Sequence, residues 1–400
     1  MMNPVNRSHS VWVAVAVLAL AACSHSTAPK GAGTNAVKVT MSNDGGKDNC
    51  VLDTTSVPAG PVTFTVANAS APGISELELL KDQRILGEKE NLAPGLDPVS
   101  FTVTLDGGAY QIYCPGAGTE YQTLTVTGRA PAPLTGTVAT VLSQGTKDYA
   151  AYIVKQIGQL NDAVKALDAA VQSGNVDAAK SAYAKARPFY ERAEASVEGF
   201  VLPGFAVGDN LGNLDYLIDM RESTPVDAKV GWKGMHAIER DLWQGGAITA
   251  GTKALSVELV SNVGRLNTTV TSLQYRPEDL ANGAADLIEE VQNTKITGEE
   301  EAFSHIDLVD FAGNVEGAQQ AYASLRPGLE KIDANLVKQI DQQFTDVLNT
   351  LNDYRDSAAL GGYQTYTPSL QARDAPKLTA VIQPLHQSLS LVAQKVVSAN

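Results

Sequence analysis

Histidine is scarce in this 400-residue chain: five in all, at positions 9, 25, 236, 305 and 386. A catalytic or metal site built on imidazole therefore has very few residues to draw on. Cysteine is scarcer still, with three, at 23, 50 and 114. None lies in the second half, which excludes a soft thiolate metal site there. Lys and Arg total 30 against 44 Asp and Glu, a formal net charge of −14. That balance excludes a nucleic-acid partner, which requires a basic surface, and suits a cationic one such as a metal ion. There is no Gly-x-Ser-x-Gly elbow and no His-Glu-x-x-His zinc-peptidase string. The one clear apolar run, Val11 to Ala22, is too short to cross a bilayer and reads as an export signal.

What is present falls into blocks. Residues 1–22 read as a signal peptide, with Arg7 as its basic region. It ends in Leu20-Ala21-Ala22-Cys23, which resembles a bacterial lipobox and makes Cys23 the expected lipidation site. Residues 23–35 are small and polar, as in a tether. If Cys23 carries lipid, Cys50 and Cys114 remain as a pair. Export permits a disulfide between them, and two thiolate ligands are the alternative. Residues 36–128 alternate apolar and polar at Val37-Val39-Met41, Val62-Phe64-Val66, Phe101-Val103-Leu105 and Tyr110-Ile112. Turn signals such as Asp106-Gly107-Gly108 separate the runs, so a β-sandwich is expected. A Pro-rich linker at 129–137 follows. The period then changes to 3.6: Tyr149, Tyr152, Ile153, Ile157, Leu160, Val164, Leu167 and Val171 share one face. Residues 138–400 read as an all-α bundle domain. Four hundred residues are enough for such a two-domain chain.

The helical part contains a repeat. Ala182-Tyr183-Ala184, Arg187-Pro188, Glu191 and Glu194 recur in the same order as Ala321-Tyr322-Ala323, Arg326-Pro327, Glu330 and Asp333. The string His236-Ala237-Ile238-Glu239 has no counterpart in the second copy. It lies among Trp232, Met235, Ile238, Leu242 and Trp243, a helical spacing that sets His236 and Glu239 on one face. Glu191 and Glu194 are likewise three apart, and Asp215 and Asp219 four apart. A third acidic stretch runs from Gly298 to Phe311 and contains Glu300 and His305. Each Glu pair alone describes a solvated edge, and His305 reads equally well as a capping or core residue. Together, carboxylates and imidazole on facing helices are how bundle proteins hold iron, manganese or zinc.

Arg187-Pro188-x-Tyr190-Glu191-x-x-Glu194, Leu214-Asp215-x-x-Ile218-Asp219-x-Arg221, His236-x-x-Glu239 and Lys295-Ile296-Thr297-Gly298-Glu299-Glu300-x-x-Phe303-Ser304-His305 resemble the imelysin-like family, nearest its EfeO-type branch of iron-uptake lipoproteins. Glu76-Leu77-Glu78, Glu90-Asn91-Leu92-Ala93-Pro94-Gly95 and Cys114 are similar to the cupredoxin-like domain of that branch. The resemblance covers nearly all of the chain after the signal segment. It implies a cupredoxin-like β-sandwich followed by two four-helix bundles, in a lipid-anchored protein on the periplasmic or extracellular face. It implies iron as cargo, with copper or zinc as other candidates, and a membrane iron permease and a haem-peroxidase-type protein as partners. Carried over residue by residue, the metal site is His236, Glu239, Glu191, Glu194, Asp219 and Glu300. A second site in the β domain maps to Cys50, Cys114 and Glu76. Two departures stand out. Extra Gly-rich sequence at 199–213 separates Glu194 from Asp215. No histidine falls between 25 and 236, which excludes a His₂Cys blue-copper centre. The competing readings are a metal-bridged module for anionic surface polysaccharide and a metallopeptidase. The latter lacks the second histidine and the interposed base of the zinc-peptidase pattern.

Overall fold

The computed structural model describes residues 35–398 apart from 82–83, 131–134, 198, 207 and 223–225. The signal segment, Cys23, most of the tether and the Pro-rich core of the linker lie outside the described residues.

Nine strands form the N-terminal region: β1 (Asn35–Asp44), β2 (Lys47–Leu52), β3 (Ser56–Pro58), β4 (Gly60–Asn68), β5 (Leu77–Lys81), β6 (Arg84–Lys89), β7 (Val99–Leu105), β8 (Gly108–Tyr113) and β9 (Tyr121–Thr127). They build two sheets, ordered β2-β1-β4-β7 and β3-β9-β8-β5-β6. The alternating apolar residues do what period 2 requires. Val37, Val39, Met41, Val62, Phe64, Val66, Phe101, Val103, Leu105, Tyr110 and Ile112 all point into one buried core between the sheets. Cys50 on β2 and Cys114 after β8 are joined as a disulfide that ties one sheet to the other. Neither sulfur is a thiolate in this structure, so the second-site reading of Cys50, Cys114 and Glu76 does not describe it. Glu76 instead gathers with Glu78 and Glu88, the latter two paired across the β5–β6 hairpin.

The helices are α1 (Thr137–Ser173), α2 (Val176–Glu191), α3 (Leu214–Ile218), α4 (Gly234–Trp243), α5 (Ala250–Thr269), α6 (Pro277–Glu290), α7 (Asp307–Ile332), α8 (Ala334–Asn352), α9 (Pro368–Leu389) and α10 (Val392–Ser398). The apolar face read along α1 is buried throughout, with Tyr152 only partly covered. α1 packs with α2, α5 and α7; α7 packs also with α2, α6 and α8, and α9 lies on α6 and α8, so α7 is shared by the two helical groups. The repeated segments fall on α2 and α7, which lie against each other. Gly313 permits this approach: a Cβ there would stand 2.6 Å from the Cβ of Glu191. No helix among the described residues is long and apolar enough to cross a membrane.

The sheets and helices belong to one compact unit. Lys89, at the end of β6, reaches α6 and binds Glu289 at 2.7 Å and Asp286 at 2.5 Å. Asn282 donates to the carbonyl of Thr102. The Gly-rich segment 199–213 folds back on itself by pairing Val201 with Asn213, and its Phe200 pairs with Arg84 of β6. Phe200 thus ties this segment to the β region.

Candidate metal centre

α2 contains Pro188 and ends at Glu191. Glu194 therefore sits beyond the helix end, in a 3₁₀ turn (Glu194–Ser196), and not on the same helical face as Glu191. It still turns inward, where Asn314 of α7 donates to it at 3.0 Å. Asp219 caps the short helix α3. Gly234, with φ +81°, opens α4 so close to that cap that a Cβ would lie 2.3 Å from the Ile218 carbonyl. This contact brings His236 to Asp219. Trp232 precedes α4 instead of belonging to it, and its indole N–H donates to the Met220 carbonyl.

His236 is buried and faces carboxylates through both ring nitrogens. Nδ1 is 3.2 Å from Glu239 Oε2; Nε2 is 3.2 Å from Glu300 Oε1 and 3.6 Å from Asp219 Oδ1. The two sides differ. On the Nδ1 side, Glu239 already accepts the backbone N–H groups of Phe303 and Ser304 at 2.9 and 2.7 Å. Glu301 beyond it accepts from Tyr183 and Ser304 and is ion-paired with Arg187. On the Nε2 side, Glu300 Oε2 and Glu191 Oε2 are buried and accept no hydrogen bond. Asp219, His236 and Glu300 present ligand atoms within 4.8 Å of one another, and so do Glu191, Glu194 and Asp219.

Two cations complete the cluster, Arg187 from the repeat and Lys295 from the family-like strings. Arg187 is fully buried. Its guanidinium binds Glu191 and Asp219, and lies 3.1 Å from Glu300, 2.9 Å from Glu301 and 3.3 Å from Asp310. Lys295, also fully buried, ends a π-helical turn (Val291–Lys295) that follows α6. Its Nζ lies 3.5 Å from Glu191, 3.9 Å from Glu194, and 3.3 Å from both Glu290 and Glu300. Six buried carboxyls (Glu191, Asp219, Glu239, Glu300, Glu301 and Asp310) thus surround two buried permanent cations and one imidazole, with the part-exposed Arg221 a third cation 3.4 Å from Glu300 Oε2.

That imbalance shows in the protonation states. Burial pushes Asp219 up to about 7 against the pull of Arg187 and His236. Burial also raises Glu301 and Asp310 well above the carboxylate range. Burial and Arg187 oppose a charge on His236, but Asp219, Glu239 and Glu300 outweigh them and hold the imidazole at about 10. Burial works against ionised Glu300 too, yet Lys295, His236 and Arg221 keep it well below its ordinary value. The cluster thus holds protons where its negative charge is in surplus.

His305 is not part of the cluster. It adopts φ +57°, donates its backbone N–H to Glu301 and accepts from Tyr366 N–H, which makes it a turn residue before α7. Asp215 is half-buried and takes the Tyr190 hydroxyl. The second copy of the repeat has no such centre: Arg326 lies at the surface against Asp341. In the β region, Glu78 is buried, pushed up to about 9 by burial and by Glu76, and its Oε2 has no hydrogen-bond partner.

A model of the imelysin family matches residues 145–392, the span holding the whole cluster. The iron uptake system component EfeO of Yersinia pseudotuberculosis is 34% identical over 354 residues, 88% of this chain and 89% of that protein. Its namesake in Escherichia coli K12 is 34% identical over 355 residues, 88% and 90% of the two chains. The Yersinia pestis protein of that name is 35% identical over 356 residues, with 88% and 89% covered.

Proposed function

The chain belongs to the imelysin family, and from that premise we propose that it is an iron-uptake component whose helical region holds the iron as cargo. The carrying observation is the asymmetry around His236. One side of the imidazole is saturated. The other offers Nε2, Asp219 and Glu300, with Glu191 and Glu194 behind and two buried carboxylate oxygens that accept no hydrogen bond. In this reading, iron binds at Nε2 with Asp219, Glu300 and Glu191, and Glu194 closes the outer edge. Glu239 grips Nδ1–H and orients the ring, the usual support a carboxylate gives a metal-bound histidine. Hard oxygen donors with one imidazole suit iron.

Holding fits this site better than cutting. The proposed ligands other than Glu194 are at most 5% exposed, so no peptide reaches them. A hydrolytic metal also needs an open position that substrate and water can reach. Delivery to a membrane permease from a Cys23-anchored, exported protein completes the proposal. Anaerobic calorimetric titration with ferrous iron tests it. One equivalent is expected to bind, with His236→Ala weakening binding at least about 100-fold and Glu239→Gln about 10–100-fold. Absence of iron binding, or binding indifferent to both substitutions, would refute it.

A further inference from the structure

Lys295 occupies a singular position. Its ammonium stands between two pairs of carboxylates. The inner pair, Glu191 and Glu300, includes the two oxygens that accept no hydrogen bond. The outer pair, Glu194 and Glu290, is 13% and 18% exposed and lines a small cleft against the β region, with Glu88, Glu90 and the Lys89-paired Asp286 and Glu289. The two buried cations are not equivalent. Arg187 is clamped from five directions in the interior of α2, and a guanidinium fork fits such fixed pairing. Lys295 is a point charge on a flexible stem, carried by a π-turn, a geometry common at functional sites. Glu290 is held ready at its outer side by the Thr294 hydroxyl at 2.9 Å.

We propose that Lys295 is a tethered competitor for the metal. Its ammonium neutralises Glu191 and Glu300 when cargo is absent, and withdraws to Glu194 and Glu290 when cargo enters. This rests on the iron-holding reading above. The consequence is a tuned affinity. Loading must displace an internal cation, and the same cation returns to expel the metal, so a buried, carboxylate-rich site still releases what it carries.

The test is a comparison of wild type with Lys295→Met at pH 8. Ferrous affinity is expected to tighten at least tenfold, with slower loss of iron to an external chelator. Lys295→Arg, a longer and better-held competitor, is expected to bind more weakly than wild type. Unchanged or weaker binding by Lys295→Met overturns the proposal. If that variant does not fold without metal, the crystal structure of iron-loaded wild type decides. Lys295 Nζ is expected beyond 4 Å from Glu191 and Glu300 and beside Glu194 and Glu290; an ammonium still on the inner pair overturns the inference. Wild type that binds no iron refutes the function reading itself, whereas tight wild-type binding with an indifferent Lys295→Met refutes only the competitor.

Discussion

Replacing Arg187 with Met in the metal-free protein isolates the electrostatic core of the cluster. Methionine keeps much of the side-chain volume, so the change is chiefly one of charge. The guanidinium touches Glu191, Asp219, Glu300, Glu301 and Asp310 inside the fold. Removing one partner from a buried ion pair costs about 3–5 kcal/mol, because the other charge is left uncompensated. Five partners do not multiply that figure. Burial already raises Asp219, Glu301 and Asp310, and further protonation absorbs the rest. A loss of about 4 kcal/mol at pH 7 is expected, a melting-temperature drop of roughly 10 °C. The sign of its pH dependence follows. A carboxyl whose pKa is raised on folding penalises the fold progressively as pH climbs from its unfolded value toward its folded one. The deficit should therefore shrink at pH 5 and grow at pH 8. Iron should offset part of it by restoring positive charge. Urea denaturation of both proteins at the three pH values measures all of this. A deficit below about 1 kcal/mol, or one that grows on acidification, would refute the charge-balance argument.

Iron affinity should rise with pH. Binding at Nε2 removes a proton from an imidazole held at about 10, and below about 7 a second proton must leave Asp219. The affinity is expected to gain about tenfold per pH unit between 7 and 9 and to steepen below 7. Titration in buffers of different ionisation enthalpy counts the protons; a flat or inverted profile contradicts the assignment. Reducing the Cys50–Cys114 bridge, whose partners are 64 residues apart, should destabilise the sandwich by about 4 kcal/mol on the chain-entropy account. Free-thiol titration with and without reductant, alongside thermal melts, checks it, and a melt unchanged by reduction counts against it.

The β region was legible because one face of each strand is buried. Val37, Val39 and Met41 could alternate with polar residues only by sending their side chains to the same core. The long face of α1 was legible for the same reason at period 3.6. Among the candidate ligands, the pattern marked His236 and Glu239 by helical spacing, and the fold brings Glu191, Asp219 and Glu300 to them. The chain breaks that separate these residues leave no periodic trace: the end of α2 at Glu191, the segment at 199–213 and the Gly234 contact are tertiary facts. Arg187 and Lys295 were invisible as site members because a cation is ordinarily read as surface. Only the fold shows that carboxylates from α2, the cap of α3 and the loop before α7 close around them. Glu78 and Glu88 face each other through hairpin register, a signal the strand pattern did contain.

The most direct measurement is anomalous diffraction at the iron edge from a crystal of the iron-loaded protein. One strong peak is expected within bonding distance of His236 Nε2, Asp219 and Glu300, on the side of the imidazole away from Glu239. A peak on the Glu239 side, one confined to Glu76, Glu78 and Glu88, or none in the helical region would contradict it.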